Sequence, residues 1–234
     1  MRSLRGIADL RLGVKALVEQ EPRFGAVARE GLPPLRLRRG GFSCLVEIIV
    51  EQMISLKASK AIIGRLRSAF DPLEPSLIAG AAIEQLRAVG LSNAKAISIK
   101  TIADEVARGL LDFDKLKSLG DEDVRGKLMA LPGVGSWSAD IYLLTALGRS
   151  DIWPHGDIAL KCAAKQLFAL PARPTDHAMR QMAEPWRPWR AVAARLLWSY
   201  YRRLNGLEEK VFRRRATSSH HRGRRYSSVD MNGA

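Results

Sequence analysis

Cysteine is nearly missing from this 234-residue chain, which has only Cys44 and Cys162. Two thiols build neither a disulfide framework nor an all-cysteine metal site. Histidine is scarce too: His220 and His221 are adjacent and His155 and His177 stand apart, so the zinc-ligand spacing of imidazoles backed by carboxylates is not there. No run approaches about 18 apolar residues, and no apolar stretch follows Met1-Arg2. A spanning helix and a secretory leader are therefore not expected. Alternating apolar and polar residues, coiled-coil heptads and solenoid repeats are likewise lacking. The expectation is an all-α protein that is not secreted.

What is abundant is positive charge. Lys and Arg number 38 against 24 Asp and Glu, a formal net charge of +14 and a pI near 10.4. From Glu208 onward there are seven basic and three acidic residues, so +10 remains on the body. A polyanion, nucleic acid above all, is the partner that such a balance suits. The length fits one domain or two small lobes sharing a core. Residues 1–207 are taken as that domain. The Arg-, Ser-, His- and Gly-rich residues 208–234 are taken as a basic, disordered tail that adds non-specific affinity.

Helical spacing runs through most of the body. Leu10, Val14, Leu17 and Val18 mark a first helix, which Pro22 and Pro33-Pro34 end. Phe42, Leu45, Val46, Ile49, Val50 and Met53 form a second stripe. Ala58 to Phe70 continues as helix to Asp71-Pro72, and Gly90 with Ser92 reads as a stop followed by an N-cap. Ile99, Ile102, Ala103 and Val106 give the next buried face, and residues 112–120 read as a polar connection. Asp121-Glu122-Asp123 favours a helix start, and Trp137, Ile141 and Leu144 line one face of the helix over 136–147. Leu160, Ala163, Ala164, Leu167 and Phe168 face inward from the following helix. Thr175 caps a short helix, and the last long helix carries Trp189, Val192, Leu196 and Tyr200, with Trp198 off that stripe.

The stretch from Leu128 to Phe168 bears the chemistry. In Gly133-Val134-Gly135 the backbone can turn tightly and present bare N–H groups at a helix start, an arrangement suited to gripping phosphate. Asp157 follows a Pro154-His155-Gly156 turn, 22 residues beyond Gly135. Locally it reads as a helix N-cap, a common use of aspartate there. It also reads as a carboxylate offered to whatever the glycine turn holds.

Leu131-Pro132-Gly133-Val134-Gly135 with Ala139 and Asp157 resembles the hairpin and catalytic aspartate of the helix-hairpin-helix (HhH-GPD) DNA glycosylase superfamily. Within it the chain is similar to the 3-methyladenine DNA glycosylase II branch, through Glu51-Gln52-Met53-Ile54-Ser55-Leu56-Lys57-Ala58, Gly90-Leu91-Ser92-Asn93-Ala94-Lys95-Ala96, and Trp186-Arg187-Pro188-Trp189-Arg190 through Trp198. The likeness covers roughly residues 5–205, without the branch's N-terminal β-sheet lobe, and with Ile141 where a pocket tyrosine stands in a bacterial member. It implies two interleaved helical lobes, a hairpin at about 124–147, and a DNA-binding cleft between the lobes.

The resemblance also implies site roles. Asp157 becomes the catalytic carboxylate, Trp137 and Trp198 aromatic walls of a base pocket, and Met53 the apolar wedge filling the duplex when a base swings out; core packing is the plainer reading for Met53 and both tryptophans. Gly133, Val134 and Gly135 become the phosphate-binding hairpin. Carbonyls of Met129, Leu131 and Gly133 become ligands of a monovalent cation, Na⁺ or K⁺. No other cofactor is implied, and two cysteines exclude the four-cysteine iron–sulfur cluster of some relatives. Where strand-cutting relatives carry a nucleophilic lysine, this chain has Trp137. The function implied is a monofunctional glycosylase that hydrolytically removes alkylated purines such as 3-methyladenine and 7-methylguanine from double-stranded DNA. The protein is expected as a monomer, in the bacterial cytoplasm or nucleoid or in a eukaryotic nucleus, with no membrane partner. Excision of oxidised or deaminated purines, or a non-catalytic DNA-binding hairpin, are the alternatives.

Overall fold

The computed structural model describes residues 2–206; the basic tail expected at 208–234 lies outside them. The fold is all-α, and the order of helices is α1 (Ile7–Gln20), α2 (Phe24–Arg29), α3 (Phe42–Glu51), α4 (Leu56–Ala69), α5 (Pro75–Gly80), α6 (Ile83–Ala88), α7 (Asn93–Ala107), α8 (Phe113–Leu116), α9 (Asp121–Met129), α10 (Ser136–Thr145), α11 (Ile158–Leu167), α12 (Asp176–Ala183) and α13 (Arg190–Leu204). Among the described residues no helix is long and apolar enough to cross a membrane.

The helices sort into two packed groups. One runs from α3 to α10: α3 packs on α4, α7 and α10, α7 on α5 and α6, and α9 on α10. The other joins the two ends of the described chain, with α13 against α1, α2 and α11. Gly13 lets α1 lie close on α13, since a Cβ there would meet Trp189 Cε3 at 2.7 Å and Val192 Cγ2 at 2.8 Å. Two crossings connect the groups, residues 30–41 and 146–157, and the first is tied to the end of α10. The Arg38 amide donates to the Thr145 carbonyl at 2.8 Å. The buried Arg195 guanidinium donates to the carbonyls of Leu35, Leu144 and Ala191 at 2.9, 3.0 and 3.0 Å. Loss of solvent pulls Arg195 down to about 10.

Local chemistry accounts for the boundaries. Ser55, Ser92 and Thr175 each cap a helix by accepting an amide three residues on. The acidic triplet Asp121–Asp123 occupies the first turn of α9, where the dipole favours it. Sequence periodicity misplaces three features. The polar stretch at 112–120 contains the short α8, because Phe113 and Leu116 bury themselves and Asp112 caps them. α10 is buried on every side from Ser138 to Thr145 rather than along one face, as befits a helix between α3 and α9. And α3 stops at Glu51, so Met53 does not extend its apolar stripe.

Candidate active site at the seam of the two helical groups

The turn between α9 and α10 is built as a hairpin. The Val134 amide donates back to the Leu131 carbonyl at 3.2 Å, and Leu131 and Val134 are buried. Gly133 has φ of +74°, which only glycine adopts freely, and a Cβ there would press into Ser98, 2.9 Å from its Cβ. Gly133 and Gly135 are exposed, so the backbone between buried anchors is open to solvent.

Asp157 is the N-cap of α11 and half-buried. Its Oδ1 accepts the Leu160 amide at 2.9 Å, the bond expected of a cap. Its Oδ2 accepts the indole Nε1–H of Trp137, also at 2.9 Å. Trp137 belongs to the first helical group and Asp157 to the second, so this bond crosses the seam.

The turn that presents Asp157 is fixed residue by residue. His155 donates from its amide at 3.1 Å and from Nδ1 at 2.7 Å to Asp140 Oδ2. Asp140 is fully buried, and its Oδ1 accepts Arg125 Nε at 2.9 Å and Nη2 at 2.8 Å. Gly156 donates its amide to Asp176 Oδ1 at 3.1 Å, and Lys161 holds the same oxygen at 2.8 Å. The Lys161 hydrogen bond keeps the Asp176 carboxyl below its usual range. A carboxylate held by supports that are themselves held is a preorganised group, costing little reorganisation when charge develops near it.

Met53 lies elsewhere on the first group and is 94% exposed with φ of +56°. A left-handed, solvent-facing methionine has no packing reason for its place, so its core reading does not hold. Two side chains pin its turn. Lys95 Nζ donates to the carbonyls of Val50 at 2.8 Å and Gln52 at 2.7 Å, and burial lowers the Lys95 pKa. Gln52 Nε2 donates to the Gly133 carbonyl at 2.9 Å and Ser138 Oγ at 2.8 Å. The Met53 turn and the hairpin are thus one assembly.

Trp137 and Trp198 are both half-buried and packed against the core, and Trp137 is the one bonded to Asp157. A cavity of about 270 Å³ lies beyond His155, lined by Glu122, Arg125, Trp153, Arg180, Arg187 and others. Neither it nor the tight crevice around Asp157 and Leu160 is lined by Trp137 or Trp198.

For the cation, the hairpin carbonyls are hard, neutral oxygens of the kind that suit Na⁺ or K⁺. The Leu131 carbonyl already accepts Val134 N–H and the Gly133 carbonyl accepts Gln52. Each retains a second lone pair, so the donor set fits a weakly demanding ion. Groups of three or more His, Cys, Asp or Glu able to hold a metal are absent among the described residues.

Sequence reasoning did not single out Gln52, Lys95, Arg125, Asp140, His155 or Asp176 as site residues. Asp140 left a signal: a carboxylate following Ala139 and preceding Ile141-Tyr142-Leu143-Leu144 has no solvent face to occupy and must find a buried cation.

The open hairpin leads straight into α10, whose first turn carries the Trp137 that bonds the half-exposed Asp157 carboxylate. Residues 46–188 match the model of the HhH-GPD superfamily base excision DNA repair protein, and the chain belongs to that family, on its 3-methyladenine glycosylase II side. A putative DNA-3-methyladenine glycosylase of Bacillus subtilis is 29% identical over 173 residues, which are 70% of this chain and 60% of the relative. The chain thus spans less than two thirds of that relative's length. The crystal structure of a Bacillus halodurans DNA-3-methyladenine glycosidase shares 30% identity at a TM-score of 0.69, covering 86% of this chain and 93% of that one. The fold alone is also shared with a Schizosaccharomyces pombe 3-methyladenine DNA glycosylase in complex with abasic DNA, at 24% identity and a TM-score of 0.71, covering 83% and 95%.

Proposed function

We propose that this protein is a monofunctional DNA glycosylase that excises alkylated purines by hydrolysis, acting as a monomer on double-stranded DNA. The observation that carries the reading is Asp157, half-exposed at the seam with both oxygens oriented. The relatives named as 3-methyladenine glycosylases support the substrate class.

The bond between base and sugar is reached only after the nucleotide leaves the stack. Met53, an unbranched apolar side chain on a pinned turn, fills the gap and offsets part of the unstacking cost. The exposed hairpin backbone at Gly133 and Gly135 holds phosphate, the amide of Val134 between them being spent on the Leu131 carbonyl; a monovalent cation on the carbonyls of Met129, Leu131 and Gly133 would add positive charge beside that phosphate. As the bond breaks, positive charge grows on the sugar in an oxocarbenium-like transition state. Asp157 stabilises that charge and is placed to orient the attacking water. Alkylation makes the purine cationic, which weakens its bond to the sugar and favours stacking on electron-rich indole, the role assigned to Trp137 and Trp198. With Trp137 where a lysine nucleophile would stand, the product is an intact strand with an abasic site.

The test is release of free base from methylated duplex DNA, beside duplexes each bearing one alkylated, oxidised or deaminated purine. Release of 3-methyladenine or 7-methylguanine is expected, and borohydride is expected to trap no protein–DNA adduct. Activity confined to oxidised or deaminated bases would move the substrate, and binding without any release would leave a non-catalytic hairpin protein.

A further inference from the structure

Within that reading, we propose that Trp137 is the positioning residue of Asp157, acting through its indole N–H rather than through its ring face alone. An N-cap bond fixes one carboxylate oxygen and leaves the group free to turn about it. Here the Leu160 amide holds Oδ1 and Trp137 Nε1–H holds Oδ2, each at 2.9 Å. Together the two bonds set the plane of the carboxylate. Nothing local brings these residues together, since Trp137 sits on the first turn of α10 and Asp157 caps α11 across the seam.

The chemistry of the donor narrows its role. Indole Nε1 donates and never accepts, so it holds Oδ2 only while that oxygen is an acceptor and takes no proton from it. The bond is charge-assisted, the stronger class of hydrogen bond. It also fixes the ring. With Nε1 committed to Asp157 in the indole plane, the carboxylate lies at the ring's edge. A purine lying on the ring face would meet the carboxylate when its sugar bond is turned toward that edge. One residue thereby couples the place of the base to the place of the charge.

Two roles for Trp137 make different predictions. A plain aromatic wall is served almost as well by phenylalanine, whereas a donor is lost with it. The experiment measures single-turnover release of 7-methylguanine from a methylated duplex, and affinity for a duplex carrying a tetrahydrofuran abasic analogue, for wild type, Trp137→Phe, Asp157→Asn and the double variant. Expected is a rate loss for Trp137→Phe of up to about a hundredfold, the scale of an ångström's misplacement of a reacting group. Affinity for the analogue stays within about threefold, and Trp137→Phe adds no further loss in the Asp157→Asn background, as coupled groups behave. A wild-type rate for Trp137→Phe, an equal loss in affinity, or full additivity with Asp157→Asn overturns the proposal. Should Trp137→Phe fail to fold, the Trp137 indole proton resonance in the free protein decides: it moves upfield and exchanges faster in Asp157→Ala if the bond exists, and stays in place if it does not. Wild-type protein that releases no methylated base overturns the glycosylase reading itself, an outcome distinct from all of these.

Discussion

Asp157→Asn separates charge from capping, and the geometry sharpens what it should do. A carboxylate about 4 Å from a developing sugar cation, at an effective dielectric of about 20, contributes about 4 kcal/mol. Removing it should slow excision about a thousandfold. Stability should not be wholly untouched. Asp157 accepts two donors, the Leu160 amide and the Trp137 indole, and an asparagine has one oxygen for both. Whichever donor the amide oxygen takes, the other faces an NH₂ group, at a cost of about 1–2 kcal/mol. For a protein of this size that is a fall in Tm of about 2–8 °C. The assay is single-turnover base release under conditions where the variant is fully folded, paired with a thermal melt. An asparagine variant that excises at near wild-type rate would refute the assignment of Asp157, whatever its Tm.

Met53→Gly should raise stability by about 0.5–1 kcal/mol, because glycine relieves the positive φ at an exposed site; it should also weaken binding to abasic DNA, read by urea titration and by anisotropy. Gly133→Ala should cost about 1–3 kcal/mol through its φ and its contact with Ser98, with partial rescue by Ser98→Gly in the same denaturant assay. At alkaline pH, burial pushes both Cys44 and Tyr142 up to about 12, from ordinary values of 9.0 and 10.0. A raised folded pKa means that the stability each contributes is present in full below its ordinary value and is lost as pH rises toward about 12. Unfolding free energy should therefore fall between pH 9.0 and about 12, and Tyr142→Phe should flatten the upper part of that decline.

Helix types and most boundaries were legible because caps and apolar spacing act locally: Ser92, Thr175 and the acidic start of α9 behave as their residue types dictate. The hairpin glycines and Asp157 were legible for the same reason, being clustered in sequence. What periodicity cannot carry is long-range. Lys95 lies in a segment shared with the family, yet nothing local tells that its ammonium turns inward to cap α3. Gln52 bonds a carbonyl 81 positions away, which no local pattern announces. Met53 shows the converse error, continuing a helical pattern that the backbone has already left.

The crossing at 30–41, tied to the end of α10 by Arg38 and to α13 by Arg195, bears on how a duplex would be accommodated. A bilobed enzyme with one connecting segment can swing shut over its ligand like a clam. Here two segments join the groups, and the first is fastened to both α10 and α13, so such a swing would be resisted. Under the proposed function, more of the deformation would then fall on the nucleic acid, and weakly stacked, easily bent sites would be entered soonest.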